Sequence, residues 1–219
     1  LIARAQAVTD AAFQAVVQDL RPGMSEREVA LRLEQALVEA GADGVAFPIA
    51  VASGPHGALP HYRPTQRTIA VGEPIVIDMG AVVAGYCADL TRTVWLGQAD
   101  EQLERIFGIV LAALEAAEAG IRPGMTGREA DRLAREVIER AGYGEAFTHS
   151  LGHGVGVRVH EAPALSPASE QVLAPGQVVT IEPGIYLPGW GGVRIEDLVV
   201  IRDDGVEVLT RTPKRLHLS

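Results

Sequence analysis

Residues 20–28, LRPGMSERE, return at 121–129 as IRPGMTGRE, 101 positions later. A chain that repeats itself at this distance reads as a duplication of one supersecondary unit, the two copies burying their apolar faces together. In each copy a Pro-Gly turn leads to a hydroxyl residue followed three positions later by Glu: Ser25 with Glu28, and Thr126 with Glu129. Such a capping box satisfies backbone N–H groups that a helix start leaves without partners. Helices are expected through ALRLEQALVEAG and DRLAREVIERAG, each stopped by a glycine, Gly41 or Gly142, suited to a left-handed cap. Another helix precedes each of these. Apolar residues at 2, 5, 8, 12, 13, 16, 17 and 20 keep helical spacing in the first copy, and QLERIFGIVLAALEAAEAG does so in the second.

A strand-rich segment follows each helix pair. PIVIDMG (74–80) answers QVVTIEPG (177–184), both β-branched runs ending in an acid two residues before a glycine, so Asp78 and Glu182 are repeat equivalents. Further strands are expected in GYCADLTRTVWLG (85–97), GVGVRVHE (154–161) and GGVRIEDLVVI (191–201). No linker or low-complexity stretch divides the chain. The expected class is α+β: one domain, 1–219, in two pseudo-two-fold halves, roughly 1–98 and 99–219, with a shared site in the cleft between them.

Composition acts mainly by exclusion. A formal charge of −9 and a single lysine, Lys214, leave no clustered basic surface for nucleic acid or an anionic membrane. Apolar residues make up 47% of the chain, enough to close a core without covalent staples. The single cysteine, Cys87, excludes an intramolecular disulfide and fits a reducing compartment, so a cytoplasmic location is expected. No apolar run approaches the ~20 residues of a membrane span, and no signal peptide is visible. The sequence opens at Leu1 directly inside a helical pattern, as a fragment or processed form would.

Four acids stand in otherwise apolar strands: Asp78 after Val76 and Ile77, Asp89 in YCADLTRTV, Glu182 closing VVTI, and Glu196 beside Asp197 in VRIEDLVV. An unpaired carboxylate in a sheet core is expensive to desolvate. Each acid alone is accounted for by an edge position open to solvent or by one of the eighteen arginines. Four in matched repeat contexts, with His153 near, favour a pair of divalent cations that balances them at once. Oxygen ligands with one imidazole suit Mn, Co, Fe or Zn better than a thiolate site, for which only one cysteine exists. Asp78 and Asp89 flank the turn-like MGAVVAGY; two antiparallel strands joined there bring both carboxylates side by side, and Glu196 arrives from the equivalent hairpin of the second half. His149 and His153 have the spacing of a helical zinc pair, but no Glu follows His149, and Gly152, Gly154 and Gly156 oppose a helix.

These motifs resemble those of the pita-bread metallopeptidases, the family of methionine aminopeptidase, aminopeptidase P, prolidase and creatinase, over essentially the whole chain. The resemblance implies the pita-bread fold, two α+β halves around a central curved antiparallel sheet. It also implies five ligands for two divalent ions, Mn or Co first, then Zn or Fe: Asp78 in VIDMG, Asp89 in CADLTRT, His153 in LGHGVG, Glu182 in TIEPG and Glu196 in RIED. By that pattern Asp89 and Glu196 bridge the ions, Asp78 completes one, and His153 with Glu182 completes the other. His160 in VHEAP and His61 in GALPHYRPT would hold the substrate and stabilise its oxyanion, and His149 would line the pocket. Glu182 would relay a proton to the leaving nitrogen, and Arg194 would orient a ligand carboxylate. His56 and His217 are left as surface residues and Cys87 as a packed thiol beside the site.

GALPHYRPT, ADLTRTVWLG and GWGGVRIEDLVVI resemble the proline-peptidase branch, which implies hydrolysis of the Xaa-Pro bond at the N-terminus of peptides, by an aminopeptidase P-like enzyme or an Xaa-Pro dipeptidase. Two departures matter. The additional N-terminal domain usual in that branch is absent from these residues, and Ala164 stands where some dipeptide-specific members carry an arginine, which leans the reading towards aminopeptidase P. Methionine aminopeptidase is the alternative; a creatinase-like hydrolase and a non-catalytic peptide-binding module rank below it. The implied partner is a peptide with proline at its second position, and a homodimer is compatible with the resemblance.

Overall fold

The computed structural model describes residues 1–59, 62–216 and 218; Pro60, His61, His217 and Ser219 lie outside the described residues, and with them the expectations for His61 and His217. Each half opens with a helix pair, α1 (Ile2–Val17) with α2 (Glu26–Glu39), and α3 (Glu101–Gly120) with α4 (Gly127–Arg140). The stops fall where expected, with Gly41 at φ 97° and Gly142 at φ 86°. The caps differ. Thr126 and Glu129 complete a capping box, Oγ1 accepting from Glu129 N at 3.2 Å and Oε2 accepting from Thr126 N at 2.7 Å. Ser25 Oγ accepts from Glu28 N at 3.1 Å, but Glu28 turns to Arg32 at 2.7 Å, so only half of the first box forms. The cause is one turn further on: the equivalent of Arg32 is Leu133, which offers Glu129 no competing cation.

The strands of the first half are β1 (Gly44–Val45), β2 (Ala50–Ser53), β3 (Ile75–Met79), β4 (Ala81–Val83), β5 (Tyr86–Cys87) and β6 (Leu90–Val94). Those of the second are β7 (Gly152–Gly154), β8 (Glu161–Leu165), β9 (Val178–Ile181), β10 (Gly184–Leu187), β11 (Gly191–Arg194), β12 (Asp197–Arg202) and β13 (Gly205–Val208). All of these pair antiparallel, in the orders β2-β3-β6, β1-β4-β5, β13-β12-β9-β7-β8 and β10-β11. The two main sheets meet at β6, where Glu196 N donates to Thr91 O at 3.0 Å and Arg194 N to Thr93 Oγ1 at 3.0 Å.

The period of two along a strand decides what faces the helices. Ile75, Ile77 and Met79 of β3 join Phe13, Leu33 and Leu37 in one core, which leaves Val76 and Asp78 on the opposite face. In the second half Val179 and Ile181 join Phe107 and Leu114, which leaves Thr180 and then Glu182 on the opposite face. Each buried Ile, Leu or Phe contributes about 1.5–3 kcal/mol. The helices thus cover the outer side of the sheets and the acids collect on the inner side.

Candidate metal centre

Asp78 lies within β3 and His153 within β7; Asp89 immediately precedes β6, Glu196 immediately precedes β12, and Glu182 immediately follows β9. The five converge on one cavity of about 240 Å³, which Phe47, Pro48, Ala50, Tyr62, Arg63 and His160 also line. The glycines around His153 are there for the strand and not for the histidine. A Cβ at Gly152 would lie 2.0 Å from Thr180 O and one at Gly154 2.3 Å from Ala162 O, so β7 fits between β8 and β9 only without side chains there.

His153 Nε2 is 3.4 Å from Glu182 Oε1 and 3.6 Å from Asp89 Oδ2, and ligand atoms of Asp89, His153 and Glu196 all lie within 4.8 Å of one another. His153 Nδ1 faces Gly154 O at 3.1 Å, which assigns the ring proton to Nδ1. Burial pushes this imidazole down to about 4, so at neutral pH Nε2 presents a lone pair to two carboxylates. Acceptors facing acceptors in a buried site repel unless a cation or a proton lies between them.

The acids show the same tension. Burial, then the charges of Glu196, Asp78 and Glu182, push Asp89 well above the usual carboxylate range. Burial, Glu182 and Asp78 do the same to Glu196, and burial with Asp78 raises Glu182 to about 7 against the opposing pull of Arg194. Among the described residues, the one guanidinium bonded to any of these four carboxylates is that of Arg194. Arg194 donates from Nη2 to Asp78 Oδ2 at 2.6 Å, from Nη1 to Tyr186 Oη at 2.8 Å and from Nε to Thr91 Oγ1 at 3.1 Å. Thr91 Oγ1 in turn donates to Glu196 Oε2 at 2.8 Å, and Thr180 Oγ1 donates to Glu182 Oε1 at 3.2 Å. The other oxygen of Asp78, Oδ1, is buried without a hydrogen-bond partner. An anionic oxygen left so costs several kcal/mol in a protein interior and fits a cation as its missing partner.

Arg194 is bonded to a carboxylate of the cluster, and His160 lines the cavity with its ring centroid 4.2 Å from that of His153. His149 stands one layer back. Its Nε2 is 2.7 Å from Tyr186 Oη, which links it through Arg194 to Asp78, and it is not among the described residues lining the cavity. Cys87 is a packed thiol against Val155 and Leu198, its Sγ 3.5 Å from Val157 O, and burial pushes it up. The expectation for His56 needs correction. It is no bare surface residue: Nδ1 lies 2.9 Å from Glu26 Oε1 and 2.6 Å from Tyr62 Oη, because the buried Glu26 carboxylate gathers donors. Sequence reasoning missed Thr91, Thr180 and Tyr186 as well. Thr91 and Thr180, each two positions from an expected ligand, share its strand face and were within reach; Tyr186 gave no such signal.

A model of metallopeptidase family M24 matches residues 1–203. An Xaa-Pro dipeptidase of Pyrococcus furiosus is 44% identical over 216 residues, covering 99% of this chain and 62% of its own length. A solved Xaa-Pro dipeptidase from Bacillus anthracis superposes with a TM-score of 0.97 at 46% identity, over 100% of this chain and 61% of that one. An X-Pro aminopeptidase from Thermotoga maritima MSB8 does so with a TM-score of 0.97 at 44% identity, over 100% and 62%. This chain thus spans about three fifths of the length of the curated relatives it matches.

Proposed function

The chain belongs to metallopeptidase family M24 and has that family's pita-bread fold, and on that footing we propose that it hydrolyses the Xaa-Pro bond of short peptides with two divalent ions held by Asp78, Asp89, His153, Glu182 and Glu196. The observation that carries this reading is the convergence of the five on one cavity, with Asp78 Oδ1 buried and unpartnered. Their oxygen-rich donor set with one neutral imidazole fits Mn, Co, Fe or Zn, with Mn or Co preferred. The ions, when bound, supply Lewis acidity and lower the pKa of water at the site. The chain's own residues do the rest. Asp89 and Glu196, the residues just before β6 and β12, reach the centre from opposite halves and would hold the ions between them. Arg194 holds Oδ2 of Asp78 and so aims Oδ1 inward. Glu182 carries the proton to the leaving prolyl nitrogen, and His160 donates to the oxyanion of the scissile carbonyl. His61 is assigned a substrate contact from its motif alone. His149, a pocket residue by its motif, reaches the centre here through Tyr186 and Arg194, the holder of Asp78.

The preference for proline is supported by the names and the 44–46% identity of the relatives. Within that class, Arg63 is the one cationic side chain among the described residues that line the cavity. Its charge suits the carboxylate of a dipeptide, which turns the lean set by Ala164 from aminopeptidase P towards dipeptides as the preferred substrates. A single catalytic domain, a cytoplasmic location and a homodimer belong to the same proposal; among the described residues no helix is long and apolar enough to cross a membrane. The test is protein stripped of metal, reloaded with Mn or Co, and offered Xaa-Pro, Xaa-Pro-Yaa, Met-Xaa and creatine, with uptake followed by titration calorimetry. Two ions bound and fastest turnover of Xaa-Pro are expected; cleavage of Met-Xaa alone, or no metal uptake, overturns the reading.

A further inference from the structure

Away from the metal cluster, Glu26 is an acid with no exposed surface, at the start of α2. Its Oε1 accepts from Ser53 N at 2.9 Å and Ser53 Oγ at 2.8 Å and faces His56 Nδ1 at 2.9 Å. Its Oε2 accepts from Tyr62 Oη at 3.0 Å, Thr65 N at 3.1 Å and Thr65 Oγ1 at 2.9 Å. No arginine or lysine pairs with it among the described residues. Burial pushes its carboxyl up, but the bonds from Ser53, His56 and Thr65 outweigh burial and hold it below the usual range, so the group is an anion solvated by protein dipoles alone. Every one of its six partner atoms belongs to residues between 53 and 65, and Tyr62 and Arg63, within that span, line the cavity.

A carboxylate of this kind has a plain structural reading, as glue between α2 and the segment it touches. The second half shows that the glue is not required. There the helix start is joined to its neighbouring segment by Gly127 N to Gln171 O at 2.8 Å and Arg128 N to Ser169 O at 2.9 Å. The first half has the same two bonds, Glu26 N to Arg67 O at 3.0 Å and Arg27 N to Thr65 O at 2.9 Å. The junction closes through backbone in both copies, and the Glu26 side chain is an addition that reaches Tyr62, a residue of the cavity wall.

We infer that Glu26 is a positioning residue for peptide binding: without lining the cavity itself, it fixes Ser53, His56, Tyr62 and Thr65 so that Tyr62 and Arg63 form the wall against which the substrate's prolyl end is held. The inference rests on the peptidase reading for its substrate and on geometry alone for the loop. In Glu26→Gln one oxygen acceptor becomes an N–H donor facing donors, at nearly constant volume.

The test compares wild type, Glu26→Gln and Thr65→Val as metal-loaded full chains. Glu26→Gln is expected to raise KM for an Xaa-Pro dipeptide tenfold or more while kcat changes less than threefold and calorimetry finds unchanged metal stoichiometry. Amide exchange at residues 65–69 should rise at least tenfold, with α3 and α4 unaffected. Thr65→Val, which leaves the cavity wall intact, should raise KM severalfold and add little on top of Glu26→Gln, as members of one network do. A fall in kcat at constant KM, or unchanged exchange at 65–69, overturns the inference. Should Glu26→Gln fail to fold, Thr65→Val with His56→Ala decides by the same two readouts. Should wild type cleave no Xaa-Pro peptide, the peptidase reading fails, and the exchange data still settle whether Glu26 sets the loop.

Discussion

The two halves deliver equivalent acids to the centre but steady them differently. Glu182 and His153 are both held by Thr180 of their own sheet, which donates to one and accepts from the backbone of the other at 3.0 Å. Asp78, the first-half equivalent of Glu182, is held by Arg194 of the second half, and Glu196 is held by Thr91 of the first. Duplication explains why the acids stand at matching points of the strands. It does not explain their orientation, which for two of them is set across the seam. A centre of this kind is more than two half-sites brought together.

The sharpest test of the comparison is to neutralise the two acids that stand just before β6 and β12. Asp89→Asn and Glu196→Gln should each lower kcat/KM by about 1,000-fold or more, in line with loss of a group from a metal site, and each should reduce metal stoichiometry in calorimetry. If one variant keeps its activity, the two acids are not counterparts.

Writing one half's residue into the other comes next. At Gly127 an added Cβ would lie 2.0 Å from Ala164 O and 2.7 Å from Ser169 Oγ, so Gly127→Glu must push backbone aside. A loss of about 3 kcal/mol in urea unfolding is expected from such overpacking. Wild-type stability would mean that the 164–169 segment yields freely.

The seam itself is probed by Thr91→Val beside Thr180→Val. Thr91 serves both Arg194 and Glu196, so its variant should weaken metal binding by about 10- to 100-fold, as supporting residues of metal sites do. Thr180→Val should cost less, and the reverse order would place the orientation within one half.

The smallest effect concerns the last residues. Asp10 of the first half accepts from Arg211 N at 2.9 Å and Thr212 N at 3.0 Å, while in the second Lys214 pairs with Glu118. Burial, then Asp197, raise the Glu118 carboxyl to about 7. A carboxyl higher in the fold than in the unfolded chain (about 4.3) binds its proton more tightly when folded. Its stabilisation is therefore complete below the unfolded value and is lost as pH rises towards about 7. Urea midpoints at pH 5 and pH 8 should lie closer together in Glu118→Gln than in wild type.

The duplication, the helix stops and the faces of β3 and β9 were legible because they follow from local spacing, whereas the strand expected over 154–161 breaks into bends at 156–160 between β7 and β8. Ile75, Ile77 and Met79 alternate with Val76 and Asp78, and that alternation alone sends the acid away from the helices. The half-formed box at Ser25 was legible only in hindsight, through Arg32 against Leu133. What escaped was long-range: Glu26 meets Ser53, His56 and Tyr62 across 27 to 36 positions, and no pattern within one element announces such a meeting. Tyr186, between His149 and Arg194, escaped for the same reason.

Arginines are traded in both directions over the seam. Arg92 of the first half reaches Asp197 at 2.6 Å with both side chains at most 1% exposed, and Arg194 of the second reaches Asp78 at 2.6 Å. Cut between residues 98 and 99, either fragment would keep a cation whose anion had left with the other. The copies arose as repeats, yet neither can now be borrowed, swapped or inherited alone.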